Sequence, residues 1–268
     1  MKLPSISIAL IAKNEAHNLD AFFETIAPIA DELVVSYTPS ADDTFKKLQE
    51  WKAKVSYPVD IFEYEDFPFH FGKSRNETIR HSTKDYVLML DADERLSPGF
   101  AARVKQFLAE KEPLAVAMQR QDTVTPHLID PQTRIIKNHQ NIFYAVDVAG
   151  QLHEHLELTE PSVWFDEVLI HDQGKGHWIY DHDRFFILLA REVARGQNTR
   201  GLFREILRAF ASFFYKFRKE YVRKQTYKDG RIGFKYSFLR GLHSFLVHFF
   251  VGLKPRVYPD AKHNDKLG

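Results

Sequence analysis

The sequence predicts an α/β fold with a mostly parallel central sheet, followed by a helical C-terminal extension. Three observations carry that prediction. Over the first hundred residues, β-branched runs of strand length alternate with apolar positions at helical spacing. Residues 113–172 hold short strand-like runs set apart by Pro, Asn and Gly. From 180 to 248, apolar residues recur at three- and four-residue steps. A chain of 268 residues, 44% hydrophobic and 27% charged, has the material for one large domain or a domain with an appendage. Its near-average composition excludes disordered and fibrous chains.

Each element has its own signal. Residues 5–12 (SISIALIA) read as the first strand, and Leu19, Phe22, Phe23 and Ile26 mark a helix over 15–29. Residues 33–37 form a second β-branched run, 44–52 a second helix and 59–64 a third strand. A helix over 73–81 leads to 86–90 (YVLML), the most apolar strand of the region. Such alternation argues for parallel strands covered on both faces. Further strands are expected at 115–119, 134–137, 142–146 and 163–170, as in an antiparallel extension. The C-terminal stripe joins Leu202, Phe203, Ile206, Leu207, Phe210, Phe213, Phe214 and Phe217; it breaks at 228–230 and resumes over 236–251.

The net charge of +1 conceals an asymmetry. Residues 1–202 hold 22 Lys+Arg and 31 Asp+Glu, whereas 203–268 hold 15 and 5, together with 10 of the 23 Phe. An acidic body is followed by a basic, aromatic tail. The chain has no Cys, which excludes disulfides, thiol catalysis and thiolate metal sites. No targeting segment is expected at the N-terminus, where Lys13-Asn14-Glu15 stops the first apolar run. No stretch reaches the roughly 18 to 20 apolar residues that span a bilayer.

In parallel α/β sheets, ligands sit at the C-terminal ends of the strands. That rule gives weight to Asp91-Ala92-Asp93, two carboxylates flanking a small residue just after a buried strand. Hard divalent cations such as Mg²⁺ and Mn²⁺ take oxygen ligands of this kind and share them with substrate phosphates. The alternative is an Asp pair in a turn that caps the helix starting near Pro98.

Residues 5–100 resemble the family 2 glycosyltransferases of the GT-A fold, a nucleotide-sugar-binding α/β sandwich. The resemblance rests on five segments in order and spacing. They are Lys13-Asn14-Glu15, the strand entry from Ala30 to Val35, Ser40-Ala41-Asp42-Asp43-Thr44, Arg75-Asn76-Glu77, and Leu90-Asp91-Ala92-Asp93-Glu94. It implies that Asn14, Glu15 and Asp42 shape the nucleotide pocket, and that Asp91 and Asp93 hold Mg²⁺ or Mn²⁺ against the diphosphate. Asp91 also belongs to the nucleotide-sugar site in this reading. Arg75 would assist the diphosphate charge and Asn76 the ribose or sugar, with a solvated helix face as the alternative for both. One departure concerns the base. The family has an Asp directly after its second strand; here Ser36 takes that place, so the base is open, with a UDP-sugar favoured.

The stretch from Arg134-Ile135-Ile136-Lys137 to Leu152-His153-Glu154 resembles the acceptor side of the bacterial lipopolysaccharide core branch of this family. An inverting transfer needs a base near the acceptor hydroxyl, at a centre that becomes oxocarbenium-like. Glu154 is the candidate base, with His153 orienting it or touching the phosphates; an exposed polar strand end is the alternative. His171, after another strand, is a possible third metal ligand or a capped strand end. The row His153, His155, His171 and His177 lacks the helical His pair with Glu of a zinc protease.

The tail, with Arg and Lys flanking its aromatic stripe, has the composition of a helix in an anionic membrane interface; the same stripe packed on the body is the alternative. No nucleic-acid recognition motif is present. The expected organisation is a GT-A domain over 1–202, with a nucleotide and metal half at 1–112 and an acceptor half at 113–202, then a membrane-associating tail at 203–268. The expected activity is an inverting, metal-dependent transfer of a sugar from a nucleotide-diphosphate donor to a lipid-linked glycan in lipopolysaccharide core assembly. It would take place on the cytoplasmic face of the inner membrane. Two rivals remain at this point: a nucleotidyltransferase, which would show a Gly-rich phosphate loop absent from 11–18, and a catalytically silent membrane-docking protein on the same fold.

Overall fold

A computed structural model describes residues 2–65, 71–145, 156–172, 182–198 and 200–255. The chain forms two compact units: 1–123 with 130–173, and 124–129 with 174–268.

The first unit is an α/β sandwich. Its strands are β1 (Ile6–Ala12), β2 (Glu32–Tyr37), β3 (Val59–Glu63), β4 (Tyr86–Met89), β5 (Glu94–Leu96), β6 (Ala115–Asp122), β7 (Pro131–Lys137) and β8 (Val163–His171). Its helices are α1 (Leu19–Ile26), α2 (Thr44–Lys52), α3 (Phe71–His81) and α4 (Pro98–Lys111). The eight strands form one sheet in the order β3-β2-β1-β4-β7-β6-β8-β5. The β3-β2-β1-β4 half is parallel throughout, and the β6–β8 pair is parallel as well. The sheet is therefore mostly parallel, as the alternating pattern predicts. β1 lies between two parallel neighbours, which is why nearly every one of its side chains is apolar and buried.

Connectivity forces this sheet to curl. β4 and β5 are separated by a short turn in which Glu94 N donates to Asp91 O at 2.9 Å, yet they stand four strand positions apart. In a flat sheet those positions would lie about 19 Å apart. The five Cα–Cα steps from Met89 to Glu94 span at most about 17 Å even when fully extended. Only a curled sheet returns its β8-β5 edge to the C-terminal end of β4.

Several elements differ from the sequence reading, each for a local reason. Residues 15–18 form a turn, with Asn18 N on Glu15 O, so α1 begins at Leu19. Of the strand expected at 142–146, the described residues 142–145 keep one bridge, Tyr144 to Leu156. Asn141 is left-handed at φ 54°, and the Asn76 side chain takes both the N–H and the carbonyl of Tyr144, removing them from any ladder. β5 has no counterpart in the sequence reading, which places only the start of α4, near Pro98. β5 has only three residues, and α4 opens on Ser97-Pro98, with Pro at its first turn and Phe100, Val104 and Leu108 buried.

The second unit is helical: α5 (His182–Arg195), α6 (Leu202–Arg218) and α7 (Gly230–Gly252), with a π-helical turn at Lys219–Arg223 and a 3-10 turn at Thr226–Asp229. Gln225 and Gly230 at positive φ reverse the chain between α6 and α7. Ring contacts of Phe210 with Phe245, Phe213 with Phe238, and Phe217 with Phe234 step in opposite directions, so the two helices are antiparallel. Gly241 lets the backbones close, because a Cβ there would press on Phe213. No helix among the described residues is long and apolar enough to cross a membrane.

Candidate functional site

The C-terminal ends of β1, β4, β6 and β8 carry the titratable groups. After β1, Asn14 turns left-handed at φ 56°, a region Asn tolerates better than most residues. Its Oδ1 accepts from Ala41 N at 2.8 Å and its N donates to Ser40 Oγ at 3.0 Å. Glu15 N donates to Thr44 Oγ1, and Ala16 N to Asp42 Oδ2. The other Asp42 oxygen takes Thr44 N and Oγ1. Asn14 and Asp42 thus stitch the loops after β1 and β2 into one rim. Burial lifts the Glu15 carboxyl above its ordinary range, and the negative Asp93 and Asp91 add to that lift against a bond from Asn18. The rim is therefore within electrostatic reach of the two aspartates.

Ser36 does not follow β2 but lies within it, buried, with its hydroxyl 2.8 Å from Ser74 of α3. The first residue past the strand is Thr38, whose hydroxyl bonds to Tyr64 O. Asn76, expected near the donor, is 4% exposed, and its amide is given to the Tyr144 backbone.

Past β4 the two aspartates have separate surroundings. Asp91 Oδ1 accepts from Arg75 at 2.8 Å and Oδ2 from Arg134 at 3.2 Å. Burial raises the Asp91 carboxyl, but Arg75 and Arg134 outweigh it and hold the group well below the usual carboxylate range. Arg134 also binds Glu94, which is fully buried and returns Oε2 to Asp91 N at 3.0 Å. Arg120 reaches Asp130 at 2.6 Å and lies 3.9 Å from Glu94. Burial, helped by the neighbouring Asp91, pushes the Glu94 carboxyl up against the pull of Arg134.

Asp93 instead faces His171 at the end of β8, with Oδ2 3.3 Å from Nε2. Nδ1 of the same ring is 2.9 Å from Asp122 Oδ2 at the end of β6. Strand register creates this row: Asp122 and Glu94 both pair with His171, from opposite sides. Burial works against protonation of the ring, but the bonds to Asp122 and Asp93 win and raise its pKa to about 9. A divalent cation that displaced the Nε2 proton would find an imidazole nitrogen and a carboxylate side by side. A carboxylate on Nδ1 orients Nε2 outward, as in carboxylate–histidine–metal triads, and 3.3 Å is close to the separation of two adjacent ligands about one ion. Among the described residues, no group of three or more His, Asp or Glu side chains is placed to hold a metal ion, so Asp93 and His171 are the two protein donors the cluster brings together.

The structure thus brings Glu15, Asp91, Asp93 and His171 into one neighbourhood, with Arg75 bound to Asp91. Glu154 and His153 lie outside the described residues. Asp122, Arg134 and Glu94 complete the cluster. Asp122 escaped the sequence reading because its importance depends on a strand pairing with a residue 49 positions away.

A family model described as glycosyl transferase family 2 matches residues 7–145, just over half of the chain. A TPR repeat-containing protein of Synechococcus elongatus is 30% identical over 121 residues, covering 45% of this chain and 28% of that one. The SPbeta prophage-derived glycosyltransferase SunS of Bacillus subtilis is 23% identical over 154 residues, covering 56% and 34%. The alignments therefore span about a third of the length of these curated relatives. In three dimensions, S. aureus TarS matches with a TM-score of 0.50 at 11% identity, over 87% of this chain and 55% of that chain, a likeness of fold. The strand ends that gather the two aspartates all lie within the family match apart from His171, and the chain belongs to glycosyl transferase family 2.

Proposed function

We propose that the protein is an inverting glycosyltransferase that uses a nucleotide-diphosphate sugar, with a UDP-sugar as the favoured donor, and a divalent cation held by Asp93 and His171. The observation that carries this reading is the Asp122–His171–Asp93 row at the strand ends of a family 2 fold. A second observation supports the cation. Arg75, Arg134 and Arg120 are each matched by Asp91, Glu94 or Asp130, so the cluster offers a diphosphate little surplus positive charge.

Bound there, Mg²⁺ or Mn²⁺ would supply Lewis-acid stabilisation of the departing nucleoside diphosphate. The chain does the rest. Asp122 holds the His171 ring so that Nε2 faces Asp93. Arg75 and Arg134 fix the Asp91 carboxylate, which leaves it as an oriented acceptor beside the donor rather than a free metal ligand. Asn14 and Asp42 hold the nucleotide rim, and Glu15 closes it next to the aspartates. Asn76 acts as a positioning residue through Tyr144. Glu154 takes the proton from the acceptor hydroxyl, with His153 orienting it. The acceptor we propose is a lipid-linked glycan, of the lipopolysaccharide inner-core type, met at the cytoplasmic face of the inner membrane.

The test is release of nucleoside diphosphate from a panel of nucleotide sugars with Mn²⁺ or Mg²⁺. Asp93→Ala should lower metal-dependent turnover by about 10³ or more while the circular dichroism spectrum and melting temperature stay as in the parent. Turnover unchanged in that variant would remove the reading. Glu154→Gln should lose about 10² or more in transfer with donor binding kept. Calorimetry with UDP and Mn²⁺ addresses the rival of a silent scaffold, which would bind neither.

A further inference from the structure

The helical unit wears its amphipathic helix inside out. On α6, Phe203, Leu207, Phe210 and Phe214 are 72%, 54%, 53% and 65% exposed. Their spacing of four, three and four residues puts them on one face, roughly 17 Å long. The opposite face turns Glu205 inward, and Glu220 in the π-helical turn follows it; each is 1% exposed. The sequence reading joins all the apolar residues of 202–217 in one stripe. The structure divides them: Phe213 and Phe217 pack on α7, Phe210 reaches Phe245 with one edge, and Leu202, Phe203, Leu207 and Phe214 face outward.

Charge follows the same division. Residues 201–255 contain twelve Lys and Arg and only three acids, Glu205, Glu220 and Asp229. All three carboxylates are buried, Asp229 with its side chain 3% exposed, whereas Arg204, Arg208, Arg218 and Arg223 are exposed. The described outer surface of α6 is therefore aromatic and cationic and offers no carboxylate.

We propose that this face of α6 docks in the plane of an anionic lipid bilayer, the aromatic row entering the headgroup–acyl boundary and the arginines meeting lipid phosphates. Charge complementarity selects this occupant. A second copy placed face to face would bring like charges together, with no exposed acid on this face of α6 among the described residues to pair them. A nucleic-acid backbone would satisfy the arginines and leave the row of Phe and Leu in water. The helix is too short and too interrupted by charge to cross a bilayer, so it lies along the surface.

The test uses the full chain sedimented with phosphatidylcholine vesicles, with and without phosphatidylglycerol. The parent should pellet with the anionic vesicles and release as salt is raised. Phe203→Ser/Leu207→Ser/Phe214→Ser should weaken partitioning roughly 100-fold, and Arg204→Gln/Arg218→Gln roughly tenfold. Neither variant touches the packed side of the helix, and matched melting curves check this. Equal pelleting of parent and both variants overturns the proposal. So does a dimeric parent that the triple Ser variant renders monomeric with vesicle binding unchanged, which would assign the face to a second copy. Asp93→Ala should pellet like the parent, so loss of docking and loss of donor chemistry are read separately.

Discussion

At the strand ends of the first unit, Arg134 and Arg75 meet Asp91 and Glu94 at bonding distance. In the helical unit, Glu220 lies 3.6 Å from Lys216 and Lys224 and 3.9 Å from Arg240, and Glu205 lies 3.5 Å from His248 and 3.8 Å from Arg208. Both clusters are buried, but different forces place them. At the strand ends Arg134 comes from β7 beside β4 and Arg75 from α3, so complementary side chains converge on Asp91 with good geometry. In the helical unit Lys216 and Lys224 stand one turn either side of Glu220 and Arg240 comes from α7, so the charges keep the spacing of helical turns. The first arrangement defines a shape that a ligand can use. The second draws acids away from an outer surface while keeping them near positive charge.

The comparison is sharpest at the aromatic residues and the buried arginine, where the largest effects are expected. Phe22 is fully buried in α1, and Phe22→Ala should cost about 3–5 kcal/mol in urea unfolding. Arg134→Met should cost a similar 3–5 kcal/mol, because it strands Glu94 and Asp91 without their partner. A cost under 1 kcal/mol for Arg134→Met would mean that the cluster is wet and loosely held. Next in size, Asp122→Asn should weaken Mn²⁺ binding by about 10–100-fold through the freed His171 ring, as read by calorimetry with the fold unchanged.

The helical unit gives the smaller effects. Burial first, then Arg240 and Lys216, push the His243 pKa down to about 4, and its Nε2 is buried without a hydrogen-bond partner among the described residues. The folded pKa lies below the unfolded value of about 6.5, so the unfolded chain binds the proton first. Stability from this site is present above pH 6.5 and is lost as pH falls from 6.5 toward 4. The melting temperature of the parent should drop by a few degrees more than that of His243→Phe across that window. An identical pH profile for both would show the ring to be solvated. Smallest of all, Phe214→Ser should change stability by no more than about 0.5 kcal/mol, against several for Phe22→Ala; a large loss would mean that the outward face is covered.

The sequence displays the parallel half of the sheet well, because strands such as residues 86–90 carry apolar runs and the polar loops follow at the ends where ligands sit. Asp91 and Asp93 were legible for that reason. What differs between them was not, since Arg134 reaches Asp91 from an antiparallel strand and His171 reaches Asp93 from the far edge of a curled sheet. β5 is too short to show a period. In α6 the spacing of Phe and Leu gives a stripe but carries no sign of which way it faces. Only the burial of Glu205 and Glu220 supplies that direction.

The curl of the sheet sets an order of events during synthesis. β1 pairs with β2 and β2 with β3 across about 25 residues, and β4 returns to β1 across about 80, so this half needs only the first ninety residues to have left the ribosome. At that stage Asp91 and Asp93 exist, but Arg134, Asp122 and His171 have not been made. The cluster is complete only when β8 slots between β6 and β5, so a nascent or truncated chain lacks the Asp122–His171–Asp93 row. Completion of the fold and completion of the cluster are one step.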